Sequence, residues 1–98
     1  MRELIWLDSA LNDLTRLRAF IVKANPSAAK RAADTIHKAI NQLVVTPLLG
    51  KPVEGLPTYR DLLTRFGVGG YMIRYRVYLD TIYIVHVRHY REVDFKVY

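Results

Sequence analysis

The chain has no cysteine, only two serines and only three histidines in its 98 residues. Without cysteine there is no disulfide framework, no thiolate metal site and no cysteine nucleophile. Ser9 and Ser27 both stand where helix caps belong, so a Ser-His-Asp triad has little support. The histidines show neither HxH nor HExxH spacing: His37 falls in a helical pattern, while His86 and His89, three apart on a strand, should point to opposite faces. No metal and no cofactor is therefore expected. Long apolar runs are also missing, and the opening MRELIWLDSA has neither the apolar core nor the cleavage site of a signal peptide. The expectation is a cytoplasmic protein with no membrane partner. Gly67-Val68-Gly69-Gly70 is glycine-rich, but it lies between two strand patterns, so it reads as a hairpin turn rather than a phosphate loop ahead of a helix.

What remains is an ordinary globular composition with a strong excess of positive charge. A hydrophobic share of 51% and a charged share of 24% argue against disorder, and the length suits one domain, residues 1–98. The net charge of +6 favours acidic partners, whether nucleic acid, an anionic surface or an acidic protein. Lys and Arg outnumber Asp and Glu by 7 to 4 in residues 1–50 and by 8 to 5 in residues 51–98, so the excess belongs to folded surfaces and not to a tail.

Tyr59 to Arg91 organises the chain as three consecutive strands. From Tyr71 to Val77 the odd positions are Tyr71, Ile73, Tyr75 and Val77, while Arg74 and Arg76 fall between them, the period of two of a strand with one buried face. Glycines before it and Leu79-Asp80-Thr81 after it close hairpins on both sides, which makes it a central strand. In the next run Tyr83, Val85, Val87 and His89 share one face, and Ile82, Ile84, His86 and Arg88 share the other. Ahead of these strands, RELIWL (2–7) reads as a strand buried on both sides. Leu7, Leu11, Leu14, Leu17 and Ile21 then mark the apolar stripe of a helix over 9–24, capped by Asp8 or Ser9. Asn25-Pro26 ends it, and Ser27 caps a second helix that turns Ala29, Ala32, Ala33, Ile36, Ala39, Ile40 and Leu43 inward and ends near Val45. Residues 46–58 hold three of the four prolines and read as an irregular connection held down by Leu48, Leu49 and Leu56.

The fold expected is α+β, ordered β-α-α-β-β-β, with a helical hairpin on one face of a mainly antiparallel four-stranded sheet. Leu14, Ile21, Ile36, Ile40, Ile73, Tyr75, Val85 and Val87 should form its core. Residues 92–98 could continue the last strand, form a further strand or cross to another chain. Arg60, Arg65, Arg74, Arg76, Arg88 and Arg91 face only Asp61 and Asp80 within the strand region, and Tyr59, Tyr78 and Tyr90 are interleaved with them. Three readings fit this cluster: a solvated sheet face with snorkelling arginines, a surface for nucleic acid or for metal-free RNA cleavage, and a dock for an acidic protein.

Several local patterns in their order resemble the ParE/RelE superfamily of bacterial toxin–antitoxin toxins. They are LIWLDSALNDL, ANPSAAKRAADTI, PLLGKPVEGLP, YRDLLTRF, GGYMIRYRV and the closing VRHYR, in which His89-Tyr90-Arg91 is similar to the His-x-Arg of ParE-like members. The resemblance covers nearly the whole chain and implies one of two activities. ParE-like members inhibit DNA gyrase without covalent chemistry of their own; RelE-like members are ribosome-dependent mRNA endonucleases that use basic groups on their strands. Carried over position by position, Arg60 matches one such group, whereas Leu62, Met72 and Tyr90 stand where others belong. The resemblance thus implies a ParE-like gyrase inhibitor. Within that reading Arg88, His89 and Arg91, the densest cationic patch at a sheet end, are the expected target-binding residues, and local pairing with Glu92 or Asp94 is the other reading of the same charges. The alternative is a nuclease built on Arg60, Arg74, Arg88, His89 and Tyr98. It also implies a cognate antitoxin, ParD-like or similar, whose acidic C-terminal segment folds onto the toxin.

Overall fold

The computed structural model describes residues 2–66 and 69–89. A short strand, β1 (Glu3–Trp6), leads into helices α1 (Asp8–Ala24) and α2 (Pro26–Val45). The strands β2 (Lys51–Val53), β3 (Leu56–Phe66), β4 (Gly69–Tyr78) and β5 (Thr81–His89) follow. They form one five-stranded sheet in the order β1-β5-β4-β3-β2. Among the described strands only β1 pairs in parallel, on β5, from which α1, α2 and the strands β2 to β4 separate it in the chain.

The α+β layout and element order agree with the sequence reading, but the sheet has a fifth strand. Lys51–Val53 pairs antiparallel with β3 inside the proline-rich stretch read as irregular. Pro52 is tolerated there because β2 is an edge strand. Nor do the leucines hold this segment down, since Leu48, Leu49 and Leu56 are all exposed. Polar groups do so instead: the buried Tyr75 hydroxyl donates to the Pro47 carbonyl at 2.7 Å and accepts the Gly50 N–H at 2.8 Å.

Helix punctuation also differs from expectation. Leu7 occupies the N-cap of α1 with no side-chain cap, and Ser9 Oγ donates instead to the Val85 carbonyl at 2.6 Å. Asn25 serves both helices: its N–H closes α1 on the Ile21 carbonyl, and its Oδ1 accepts the Ser27 and Ala28 N–H groups to open α2, with Pro26 in the first turn. Ser27 Oγ accepts from Arg31.

The helices cover the sheet face that carries Tyr71, Ile73 and Tyr75. Leu17, Ala32, Ile36, Ala39, Ile40 and Leu43 from the hairpin meet these residues together with Ile82, Ile84 and Val87. Alanines on α2 let the layers approach, while Ile73, Ile82, Ile84 and Val87 lose all contact with water. Complete burial of such a side chain stabilises the fold by roughly 1.5–3 kcal/mol. Of the expected core, Leu14 and Ile21 are half-buried and pack against its rim, and Leu7 and Leu11 are exposed. On β1, Leu4 and Trp6 pack inward while Ile5 is exposed, so this edge strand buries one face and not two.

One irregularity sets the phase of β5. Tyr75 pairs with Ile84 but Arg74 pairs with His86, so Val85 is an extra residue and the strand bulges there. Ile82 and Ile84 therefore share the core face with Val87, a grouping that strict alternation forbids. No helix among the described residues is long and apolar enough to cross a membrane.

Candidate functional site

Side chains at paired positions of adjacent strands lie on the same face. The register therefore sorts the arginines into two groups. On the face away from the helices lie Tyr59, Arg76 and Tyr83 in one row, with Ile5 beside Tyr83. A second row joins Lys51, Asp61 and Arg74, and a third joins Leu63, Met72 and Arg88. On the helix face lie Arg60 opposite Tyr75, and His89 opposite Tyr71.

Local partners hold each group in place. Arg74 grips Asp61 through two parallel bonds, Nε to Oδ1 at 2.9 Å and Nη2 to Oδ2 at 3.0 Å, the fork-to-fork geometry that suits guanidinium and carboxylate. Arg76 donates Nε to Thr58 Oγ1 at 3.0 Å and places its guanidinium 5.1 Å from the centre of the Tyr78 ring. On the other face Arg60 Nη1 donates to the Gly50 carbonyl at 2.7 Å and to the Leu48 carbonyl at 3.3 Å. His89 meets Tyr71 edge to face at 5.4 Å. Burial raises the Tyr75 phenol above its ordinary pKa, and the Gly50 N–H and Arg60 pull against that rise. Burial alone raises Tyr71.

The structure thus separates residues that the sequence grouped. Arg60 and His89 fall on the helix face, and Arg74 and Arg88 on the open face. Tyr90, Arg91, Tyr98 and the stretch 92–98 lie outside the described residues. His86 is buried, with Nδ1 2.8 Å from Asp13 Oδ2. Sequence reasoning missed this contact, since nothing in α1 marks Asp13 as a partner for a strand 73 residues away. It also missed Leu79, which stands in the β4–β5 turn with φ of 53°. A non-glycine residue between two strands with only two residues to turn in is the signal that could have revealed it. Among the described residues no three His, Asp or Glu side chains cluster to hold a metal.

Among the described residues the face away from the helices is cationic and aromatic, a composition that suits binding. Comparison with known proteins agrees with the architecture. Residues 4–94 match the family model for the ParE toxin of the type II toxin–antitoxin system parDE. Toxin RelE3 of Caulobacter vibrioides is 40% identical over 80 residues, covering 82% of this chain and 85% of that protein. Toxin RelE2 of the same organism is 35% identical over 89 residues, covering 91% of this chain and 96% of that protein. Among solved structures, a chain of the chromosomal ParDE toxin–antitoxin system from P. aeruginosa superposes with a TM-score of 0.74 at 25% identity, covering 91% of this chain and 96% of that one. This protein belongs to the ParE toxin family of the ParE/RelE superfamily, the toxins of type II toxin–antitoxin systems, and so has an antitoxin as its partner.

Proposed function

We propose that this toxin acts by binding a protein, DNA gyrase, and that a ParD-like antitoxin with an acidic C-terminal segment neutralises it. The observation that carries this reading is the separation of Arg60 from Arg74. RNA cleavage without a metal needs cationic and proton-transferring groups converging on one phosphate. Here Arg60 is turned to the helix side and bound to two carbonyls, while Arg74 lies on the opposite face against Asp61. Leu62 and Met72, where the nuclease pattern calls for basic groups, are apolar and also lie on opposite faces. Removal of even one such donor costs about a hundredfold to a thousandfold in rate.

Arg88 and His89 at the end of β5, and Arg91, which follows two residues later in the sequence, are the proposed target contacts. The surplus of positive charge supports an acidic surface on both partners. The second reading is a ribosome-dependent mRNA endonuclease using Arg60, Arg74, Arg88, His89 and Tyr98. The names of the Caulobacter relatives favour it.

A paired assay separates the two. Purified toxin should inhibit gyrase supercoiling, with cleaved DNA accumulating, and should leave mRNA in a translation extract intact. Reversing the charge in Arg91→Glu should abolish inhibition while the circular dichroism spectrum is unchanged. Codon-specific mRNA cleavage with supercoiling unaffected would overturn the proposal in favour of the nuclease.

A further inference from the structure

The β4–β5 turn consists of Leu79 and Asp80, with Tyr78 and Thr81 paired across it. In two-residue hairpins a positive φ at the first turn position is taken by glycine, asparagine or aspartate, because a larger side chain crowds its own backbone there. Leu79 adopts φ of 53°, and the residue is 81% exposed. The position therefore combines backbone strain with the exposure of a large apolar group, and neither helps the fold. The next residue back, Tyr78, is also half exposed. The turn is nevertheless held firmly: the Asp80 carbonyl accepts the Glu3 N–H at 2.8 Å, and Arg76 lies over the Tyr78 ring. Strain kept in a rigid, exposed place calls for a function, since folding alone would favour glycine.

From this geometry we infer that the β4–β5 hairpin tip, with Leu79 at its apex flanked by Tyr78 and Arg76, is an anchor that inserts into an apolar pocket of the toxin's protein target. The inference rests on the reading of this protein as a toxin that binds a protein. Tyr78 and Arg76, which flank the exposed Leu79, are of the residue types enriched in interface hot spots. Behind the tip the open sheet face presents, among the described residues, Lys51, Arg65, Arg74, Arg76 and Arg88 against the acids Asp61 and Glu3. The pocket is accordingly expected at the margin of an acidic surface, Glu3 and Asp80 being the acids near the tip itself among the described residues. Tip and strand exit are separated by the length of β5, roughly 27 Å at about 3.4 Å per residue. An interface of ordinary size, about 800 Å² on each partner, is broad enough to include both.

Leu79→Gly and Leu79→Asn test this, because both residues accept the positive φ and both remove the anchor. The two variants should melt no lower than wild type and bind the cognate antitoxin within about twofold of it. They should bind purified gyrase at least about tenfold more weakly and lose growth arrest on expression in the host. Undiminished gyrase binding and toxicity would overturn the inference, as would a loss of antitoxin binding as large as the loss of gyrase binding. If wild type arrests growth without inhibiting gyrase, the same variants still decide: arrest that depends on Leu79 upholds the anchor and discards gyrase, and arrest indifferent to Leu79 discards the anchor.

Discussion

Asp13 on α1 and His86 on β5 are joined across the edge of the sheet, Oδ2 to Nδ1 at 2.8 Å, and the same carboxylate oxygen accepts the Val87 N–H at 2.9 Å. Both residues are buried. The contact has a simple cause. β1 pairs with β5 as far as Ile84, after which the chain turns into α1, and among the described residues no strand flanks 85–89 on that side. Backbone polar groups in a buried place need partners, and α1 supplies them: Ser9 donates to the Val85 carbonyl and Asp13 accepts from Val87. Side chains of a helix thus continue the edge pairing where the strand stops.

Removing the acceptor should be costly. Asp13→Ala leaves the Val87 N–H and the buried imidazole without it, and is expected to destabilise the protein by about 2–4 kcal/mol in urea unfolding. A double-mutant cycle with His86→Ala should show a coupling of about 1 kcal/mol or more; additive effects would mean that the pair contributes nothing beyond its separate members.

Asn25 is the second point at which one side chain serves two elements. Asn25→Ala removes the acceptor for Ser27 and Ala28 while keeping the N–H that closes α1. The expected loss is about 1 kcal/mol, seen as a lower denaturation midpoint with an unchanged denaturant slope. Ser27→Ala should cost less, since the bond its hydroxyl accepts from Arg31 is exposed and its own N–H to Asn25 is kept.

Tyr75 gives the fold an alkaline limit. Its pKa is raised above the ordinary value of a tyrosine phenol, chiefly by burial, so the folded state prefers the protonated phenol. Stability is then fully present below pH 10 and declines as pH rises through the raised value. Tyr71, raised by burial as well, acts in the same direction. Tyr75→Phe should weaken this decline. At neutral pH it should cost about 1–2 kcal/mol, because the Gly50 N–H and the Pro47 carbonyl lose their partner. Urea midpoints measured from neutral to strongly alkaline pH check both effects.

Ile73 reports on the core itself. It is fully buried at the centre of β4 between the helices and the sheet. Ile73→Ala should destabilise by about 2–5 kcal/mol, whereas Leu63→Ala, on the open face and half exposed, should stay within about 1 kcal/mol of wild type. Equal effects would mean that the helices do not cover the face assigned to them.

The sequence by itself determined the elements whose signals are local. Alternation from Tyr71 to Val77, the apolar stripe of α1, the alanine-rich face of α2 and the break at Asn25-Pro26 each depend on neighbours within a few residues, and each element formed as read. Hence the two helices, the central strand and the greater part of the core were legible. Tertiary structure decided what depends on contacts distant in sequence. Lys51–Val53 became a strand because β3 offered it a free edge, against the local preference of Pro52. The bulge at Val85 reversed the faces of β5 beyond it, and a one-residue shift moves every following side chain to the other side. Ser9, a cap by its local pattern, was drawn to a carbonyl on β5, and Asp13 found His86 there. The same register placed Arg60 and Arg74 on opposite faces of the sheet, because residues next to each other along a strand point opposite ways however alike their chemistry.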